Sequence, residues 1–378
     1  MDAETFVPLM KKSLGFEGLK KFVIDQELCA GCGVCAAFCS EIEVDEDGAK
    51  LVKDCTLTKG SIKCSDEGAC YDNCPMVSFS RAQLEEEVFG GTRSDPVLGY
   101  YEKIVAVKAK DKGVAKAGQD GGAVTALLQC AVETGLVAGG AVAKRSAEWD
   151  PEPEVAGKKD DLVKASGTKY ARATTPATFG VNLKNHRRLA LVGTGCQIAG
   201  ARKLHVNLLK DAIEKTKESE SPINTLLIGL FCYENFPYSK LKEKLESEFG
   251  VKMADVVKTD ITSGKIIVTK KDGKELVKPV KVFNDIVPEC CKLCDDFTAT
   301  FSDISVGSVG SKEGWSTVVV RSKKGLELLE TAQKKGYIQV SEDVDPEGIK
   351  KTGSSKDKKR DSTRQAREEK GSYVPEYT

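Results

Sequence analysis

The pattern of apolar and polar positions predicts a mixed α/β domain over residues 101–340. Helical periodicity appears in AVTALLQCAVETG, for which we expect Asp120 as the N-cap and Gly135 as the stop, and again in GLELLETAQKKG. Residues 255–282 alternate and turn twice at a glycine, which predicts a β-meander. Continuous apolar runs, typical of buried strands, lie at 104–110, 188–193, 224–231 and 316–322.

The rest of the chain divides into four segments by the same pattern. Residues 1–20 predict a short amphipathic helical leader, and residues 21–79 form a cysteine-rich segment. Residues 80–100 begin as a helix and break at two glycines and a proline, which suits a linker. Residues 341–378 are rich in lysine and arginine, so we expect an extended or helical charged tail. A solvated tail is the preferred interpretation, and an arm that docks on a partner is the alternative.

Fourteen cysteines change this picture, because eight of them lie between Cys29 and Cys74. The run CAGCGVCAAFC followed later by Cys-Pro resembles a bacterial-type two-cluster ferredoxin, in which the fourth cysteine of the run ligates the other cluster. That rule assigns one [4Fe–4S] cluster to Cys29, Cys32, Cys35 and Cys74, and a second to Cys39, Cys55, Cys64 and Cys70.

Two alternatives stay open for this cysteine-rich segment. A disulfide framework competes for the first half, and zinc competes for the widely spaced second half. Ser40 follows the fourth cysteine where the ferredoxin pattern commonly has proline, which makes the local turn less certain but leaves the thiolate available. Abundant cysteine without a readable export signal favours metal ligation in a reducing compartment.

A second cysteine set lies in the α/β domain, at strand ends and in loops. Thiolates from three segments would suit one further [4Fe–4S] cluster, although a single cysteine after an apolar strand is more often a core residue. Cys130 lies within an apolar helix and Cys290 adjoins another cysteine, so we expect neither to be a ligand. The candidate ligands are Cys196, Cys232, Cys291 and Cys294.

Charge and composition exclude several function classes. The chain has 57 basic and 57 acidic side chains, which gives no electrostatic footprint for nucleic acid. No apolar run approaches the ~18 residues that a membrane-spanning helix needs, so we expect a cytoplasmic protein, with peripheral attachment to a membrane complex left open. The two histidines, His186 and His205, lie in polar surroundings and are expected at the surface. No hydrolase constellation is readable.

Three glycine-rich loops could approach a large cofactor. They are Asp120-Gly121-Gly122 at a helix start, SGTKY at 166–170 and GSVGSKEGWS at 307–316. None matches the GxGxxG fingerprint, and an ordinary turn is the alternative for each. A flavin would suit a domain attached to iron–sulfur clusters, because it exchanges electron pairs for single electrons.

Residues 101–339 resemble the beta subunit of coenzyme F420-reducing hydrogenase. The matching stretches, in order, are QDGGAVTALL, GTKY, CQIAGARK, FCYENFPYSKL, CCKLCDDF, SDISVGSVGS and EGWSTVVVRS. With the ferredoxin-like segment in front, the whole chain looks like the F420H2 dehydrogenase subunit type of that family.

This resemblance implies an archaeal, methanogenesis-related flavoprotein with FAD and one [4Fe–4S] cluster in the second domain. It implies that the cluster is held by the second cysteine set. It also places the following residues near the flavin: Gly121, Gly122, Thr125, Thr168, Lys169, Tyr170, Gly307, Ser308, Gly310, Gly314, Trp315 and Ser316.

The implied activity is hydride exchange between coenzyme F420 and FAD, followed by single-electron transfer through three [4Fe–4S] clusters to a partner. No acid–base residue is required, since hydride transfer depends on stacking and orientation. The partner is left open among heterodisulfide reductase, hydrogenase, formate dehydrogenase and a membrane dehydrogenase. Two other hypotheses stay open: an electron conduit or assembly subunit without catalysis, and a flavin module for another substrate. Candidates for binding the F420 tail are Lys169, Arg172, Arg187, Arg188 and Lys312.

Overall fold

An eight-stranded mixed sheet is the centre of the structure, a computed structural model that describes residues 14–53, 69–183, 186–215 and 224–378. A hairpin and a three-stranded meander accompany it. The strands are β1 Ile42–Asp45, β2 Gly48–Leu51, β3 Lys103–Ala109, β4 Gly140–Arg145, β5 Pro151–Ala156, β6 Arg188–Thr194, β7 Asn224–Leu230, β8 Val256–Thr262, β9 Lys265–Lys270, β10 Glu275–Pro279, β11 Ile304–Gly307, β12 Ser316–Val320 and β13 Ile338–Ser341.

Helices cover the sheet and connect its strands. A π-helical turn occurs at 20–24, and 3₁₀ helices occur at 35–37, 253–255 and 280–286. The α-helices are α1 Gly15–Leu19, α2 Ala69–Asp72, α3 Arg81–Phe89, α4 Lys112–Ala117, α5 Ala123–Glu133, α6 Lys159–Lys164, α7 Thr175–Leu183, α8 Gly195–Lys215, α9 Tyr238–Phe249, α10 Glu289–Lys292, α11 Lys323–Lys334 and α12 Pro346–Glu369.

The strand order of the large sheet is β13-β3-β12-β11-β7-β6-β4-β5. The four central strands β11, β7, β6 and β4 run parallel to one another. All pairs outside this group, including β11 with β12 and β4 with β5, are antiparallel. Parallel strands need apolar cover on both faces, which explains the continuous apolar runs. The strands predicted at 104–110, 188–193, 224–231 and 316–322 are confirmed as β3, β6, β7 and β12.

The alternation of side chains along β6 and β7 divides the core into two layers. Ala190 and Ile228 face a cluster built with α5 and α11, whereas Leu189 and Leu227 face a cluster built with α7 and α8. The predicted mixed α/β class is therefore confirmed for the second part of the chain. The predicted meander is confirmed as β8, β9 and β10, which pair antiparallel in chain order.

The cysteine-rich segment packs directly on the α/β domain. Its hairpin pairs β1 with β2, and its apolar residues share one cluster with Leu204 of α8 and with Leu293. A methyl group added to Gly180 of α7 would lie 2.3 Å from the carbonyl oxygen of Ala37. Only glycine permits this approach between α7 and the turn that follows the first three cysteines.

Four expectations from the sequence differ from the structure. Asp120 is not the N-cap of α5, because the helix begins after Gly122, which takes a left-handed conformation (φ 70°) without a side-chain cap. Segment 80–100 begins with the expected helix, α3, and connects the two parts of the chain, but it is more than a linker, because it buries Val97 and Leu98. His205 is half-buried and shares a 2.8 Å hydrogen bond with Thr225, whereas His186 is exposed as expected.

The fourth difference is the charged tail, which is not a solvated arm. α12 is capped by Asp345, whose carboxylate accepts from Gly348 N at 3.0 Å, and it packs along the chain. The final residues then return to the start of α3, where Arg81 N donates to Thr378 O. The expected leader is described only from residue 14, where α1 and a following helical turn lie.

Candidate functional site

Four of the predicted ligands line one pocket in the cysteine-rich segment. Cys29, Cys32, Cys35 and Cys74 surround about 340 Å³ of empty space, together with apolar side chains. Glycines with positive φ shape the loop between the first three cysteines. Gly48 (φ 122°) allows the hairpin to approach the first of them, since an added Cβ would lie 3.1 Å from Cys29 Sγ. This is the set assigned from sequence to the first cluster.

The pocket is unfavourable for uncompensated charge. Removal from water raises the pKa of Cys32 and Cys35 well above the ordinary range, and raises that of Cys74 to about 12. Neighbouring sulfurs add to the rise at all three. Thiols so placed stay protonated unless a metal supplies positive charge, and iron takes the thiolate form.

The second set in this segment is described only in part. Cys55 and Cys64 lie outside the described residues. Cys70 is buried and Cys39 is half-buried, and both pack in the apolar cluster that surrounds the first pocket. The assignment of a second cluster to these four residues stays a prediction.

A second pocket brings together the four candidate ligands of the α/β domain, with Cys290 also in its lining. It has about 530 Å³ of empty space, including the solvent at its mouth. Cys196 is the second residue of α8, directly after β6, and Cys232 lies two residues after β7. Because β6 and β7 are parallel neighbours, their carboxyl ends meet at one edge of the sheet. α10 and the residues after it bring Cys291 and Cys294 to the same edge.

Hydrogen bonds divide the roles of the adjacent Cys290 and Cys291. The hydrogen bond between the two sulfurs raises the pKa of Cys290 and lowers that of Cys291. Removal from water raises the pKa of Cys196 to about 12 and also raises those of Cys232 and Cys294. The expectation that Cys290 is not a ligand stays a prediction.

Two cations adjoin the second pocket. Lys356 of α12 is 2% exposed and donates to the carbonyl oxygens of Cys232 (2.7 Å) and Asp296 (3.1 Å). Burial lowers its pKa, but the neighbouring thiolates and Asp296 outweigh burial and hold the pKa above its ordinary value. Arg172 donates to Cys290 Sγ at 3.3 Å and to Glu46 O at 3.2 Å, so it joins the two parts of the chain.

The two pockets share a wall. Ala30, Cys32 and Met76 line both of them. Removal from water is the main cause of the raised pKa of Cys32, and the largest contribution from another charged group is that of Cys196, a residue of the other pocket. Redox groups held by the two cysteine sets would therefore be immediate neighbours.

Three features that would point to other kinds of site or to a membrane are absent from the described residues. The twelve described cysteines form no disulfide. Within the described ranges, no three cysteine, histidine, aspartate or glutamate side chains converge tightly enough to hold a single metal ion. None of the described helices combines the length and apolar character needed to cross a membrane.

Two of the three glycine-rich loops meet at the start of α5, and the third reaches it with its last residues. Gly121 N donates to Ser316 Oγ at 3.2 Å, and a methyl group on Gly121 would lie 3.0 Å from the Cα of Trp315. Thr125 and Ser166 share a 2.7 Å hydrogen bond between their hydroxyls. The uncapped start of α5 leaves backbone N–H groups available to an anion.

Charged residues flank this meeting point on two sides. Lys169 donates to the carbonyl oxygens of Ser166 (3.2 Å) and Gly167 (2.9 Å), and burial, with a contribution from Arg145, lowers its pKa to about 7. Burial and the nearby Asp260 raise the pKa of Asp120 to about 6. An anion would therefore gain on the lysine side and lose on the aspartate side.

Of the other residues assigned to the flavin neighbourhood, Gly307, Ser308 and Gly310 lie apart from this point, whereas Gly314, Thr168 and Tyr170 lie in the parts of the loops that reach it. Gly307 packs against the ring of Phe231, and Gly310 (φ 98°) packs against Ile349 of α12, with an added Cβ 2.7 Å from its Cγ1. Ser308 lies between them, and Gly314 approaches Lys108 Nζ. Tyr170 has a φ of 55°, and its hydroxyl oxygen accepts a hydrogen bond from Ile261 N. Thr168 N donates to Gln119 Oε1.

The five basic residues proposed for the F420 tail are not gathered together. Arg187 and Arg188 lie at the beginning of β6, and that strand carries its cysteine at the opposite end, roughly 20 Å away. Arg172 lies at the cysteine pocket. Lys312 pairs with Asp343 and covers the ring of Trp315 at 5.4 Å. Lys169 and Lys312 are the two that stay near the glycine-rich loops.

Sequence reasoning missed Lys356. A lysine in a strongly charged tail gives no signal of burial by its type. The usable signal is spacing, because Ile349, Gly353 and Lys356 follow one another at intervals of four and three along one helical face.

Comparisons with known proteins agree with this arrangement. Residues 104–178 and 186–346 match the N-terminal and C-terminal models of the coenzyme F420 hydrogenase/dehydrogenase beta subunit. The chain is 35% identical to coenzyme F420 hydrogenase subunit beta of Methanothermobacter thermautotrophicus, over 74% of this chain and 99% of that protein. It is 33% identical to the coenzyme F420-dependent sulfite reductase of Methanocaldococcus jannaschii, over 94% of this chain and 53% of that protein.

A solved structure has a similar fold. It is a xenon derivative of the F420-reducing [NiFe] hydrogenase complex from Methanosarcina barkeri, with 32% identity and a TM-score of 0.65, covering 73% of this chain and 94% of that chain. The family models span most of the α/β domain, and the C-terminal one contains Cys196, Cys232, Cys291 and Cys294. The chain therefore belongs to the coenzyme F420 hydrogenase/dehydrogenase beta subunit family.

Proposed function

We propose that this chain is the subunit that exchanges electrons between coenzyme F420 and a redox partner, using FAD and three [4Fe–4S] clusters. The observation that carries the proposal is the shared wall of the two cysteine pockets, at Ala30, Cys32 and Met76. Adjoining cysteine sets suit the movement of single electrons from one part of the chain to the other.

The donor sets fit iron–sulfur clusters. Each described pocket is lined by at least four cysteines, and four thiolates are the ligand set of a [4Fe–4S] cluster. The raised pKa values of most of these thiols mean that the bare pockets disfavour thiolates, which cluster iron would stabilise. Cys29, Cys32, Cys35 and Cys74 would hold one cluster, Cys196, Cys232, Cys291 and Cys294 another, and Cys39, Cys55, Cys64 and Cys70 the third.

The loops at the start of α5 supply groups suited to a flavin dinucleotide. The free N–H groups of the helix start and the ammonium of Lys169 would bind phosphate, while Thr125 and Ser166 offer hydroxyls. Bound flavin supplies the conversion between a hydride, which carries two electrons, and single electrons. The protein's own part is to orient the ring, keep the site closed to water and place it beside the cysteine pockets.

The test is an anaerobic assay of the reconstituted chain supplied with FAD, reduced F420 and a viologen dye. We expect F420 oxidation coupled to dye reduction in the unaltered chain. Cys294→Ala should lose about four irons and most dye reduction, because it removes one ligand, yet it should retain flavin and flavin reduction. Cys130→Ala is the matched control, since that buried cysteine lies in α5 away from both pockets.

Two outcomes would contradict the proposal. A chain that binds no flavin but takes up clusters would be an electron conduit or assembly subunit. A chain that binds flavin and clusters but leaves F420 unchanged would serve another hydride donor. Equal loss of flavin and iron in both cysteine variants would indicate unfolding, so circular dichroism of each variant accompanies the assay.

The partner belongs to the same proposal. The named relatives are a hydrogenase subunit and a sulfite reductase, which suggests that this chain docks with, or is joined to, another redox protein. We propose a cytoplasmic subunit of a larger redox complex. Co-purification from the native host under anaerobic conditions would identify that partner.

A further inference from the structure

The helix α12 lies against the cysteine pocket of the α/β domain although the matched family domain ends at residue 346. Ile349, Gly353 and Lys356 are its buried residues, and they share one face. Ile349 joins an apolar cluster with Val97, Leu98 and Phe297. The helix is therefore anchored about two turns before it reaches the pocket.

Lys356 joins two of the segments that carry the cysteines. Its ammonium donates to Cys232 O, after β7, and to Asp296 O, two residues beyond Cys294. The side chain is 2% exposed and lines the pocket itself. Burial of an ammonium is costly unless nearby negative charge or hydrogen bonds compensate. Two carbonyls give partial compensation, and four cysteine thiolates would supply the rest.

We propose that Lys356 is a positioning residue for the iron–sulfur site of Cys196, Cys232, Cys291 and Cys294, and that its charge raises the reduction potential of that site. The proposal rests on the proposed function, because it requires a cluster in this pocket. Net charge and hydrogen bonding near a cluster are principal determinants of its potential. A fixed cation favours the reduced form, since reduction adds one negative charge to a group that is already negative.

The experiment measures the midpoint potential of each cluster by redox titration followed by electron paramagnetic resonance, in the whole reconstituted chain. The signal of this site is the one that Cys294→Ala removes. For Lys356→Met we expect the ratio of reduced to oxidised cluster at a fixed potential to fall roughly tenfold, which is a shift of about 59 mV to lower potential for one electron. The other two clusters should keep their potentials.

Two variants complete the design. Lys356→Arg retains the positive charge and should restore most of the wild-type potential. Lys359→Met removes a lysine from the same helix, but that lysine is partly exposed and pairs with Glu234 at 2.7 Å, so the potential should change much less. Iron content is measured for every variant.

The outcomes separate this proposal from the proposed function. Unshifted potentials with full iron in Lys356→Met would overturn the proposal, as would an equal shift in Lys359→Met. Loss of this cluster in Lys356→Met but not in Lys356→Arg would support a positioning role for the positive charge. Loss of the cluster in both variants would show that the residue acts only by packing, and it would overturn the proposal. If the unaltered chain shows no cluster signal that depends on Cys294, the proposed function itself fails.

Discussion

Gly353→Ala tests whether α12 is docked or solvated. An added Cβ at this position would lie 2.2 Å from Cγ1 of Val97 and 2.8 Å from its Cγ2. Real Cβ contacts are not that short, and a valine side chain is stiff because it branches at Cβ. The alanine can be accommodated only if the helix or the segment around Val97 moves outward.

The two states of α12 predict effects of opposite sign. In a solvated helix, replacement of glycine by alanine stabilises by about 1 kcal/mol, because alanine loses less backbone entropy. In a docked helix the clash adds an overpacking cost of about 1–3 kcal/mol. Since the contact is severe, we expect the upper part of that range, and a net loss of about 1–2 kcal/mol in the free energy of unfolding.

The assay is anaerobic urea unfolding, combined with the rate of trypsin cleavage within α12. Ser354→Ala is the matched control, because Ser354 is the next residue of the same helix and is exposed. It should stabilise slightly and leave the cleavage rate unchanged. Val97→Ala removes both γ carbons, and the nearest remaining contact of the added Cβ is then the Cβ of Val97 at 3.0 Å. In that background Gly353→Ala should therefore cost much less, with a coupling of at least about 1 kcal/mol. Equal behaviour of Gly353→Ala and Ser354→Ala would refute the docked helix.

Three further outcomes are expected. The affinity of the apo chain for flavin, measured by fluorescence titration, should fall up to tenfold per pH unit above pH 7. The reason is that phosphate binding requires the protonated form of Lys169, whose pKa is about 7. Lys169→Arg should keep the affinity and remove its pH dependence. Burial, with Arg202 and Lys324 nearby, lowers the pKa of His205 to about 4, so between pH 4 and 6.5 the unfolded chain binds more protons than the folded chain. As the pH falls through that window, up to roughly 3 kcal/mol of folding stability should be lost, and less should be lost in His205→Asn. Arg321→Met should cost about 3 kcal/mol or more in urea unfolding, because the buried guanidinium donates to several acceptors, including Thr298 O at 3.1 Å, and a loss below about 1 kcal/mol would contradict this.

Local pattern was sufficient for much of the α/β domain. The apolar runs at β6 and β7 predict buried strands because a parallel sheet is covered on both faces. The prediction of Asp120 as the N-cap of α5 was wrong, because Gly122, which is closer to the helix, takes a left-handed conformation and is the N-cap. A preference for side-chain caps does not reveal which backbone conformation the following contacts will select.

Spacing and resemblance were sufficient to predict the cysteine sets. The structure brings eight of the predicted ligands into two pockets. The burial of Lys356 was not predictable from the tail. A lysine is solvated by default, and its burial depends on negative charge from residues far away in the chain. Arg172 was likewise assigned to a substrate entrance from its charge alone, whereas its contacts with Glu46 and Cys290 follow from how two domains meet.

The position of α12 along the chain has a consequence for biosynthesis. The helix that completes the wall of the second pocket is synthesised after every cysteine, so a nascent chain presents that cysteine set before the wall exists. Under the proposed function, cluster insertion would therefore precede closure, and closure would then retain the inserted cluster. A chain that ends at Asp345 should take up iron at this site as fast as the full chain, yet release it faster to a chelator. Similar rates of release from the two chains would show that α12 has no part in retention.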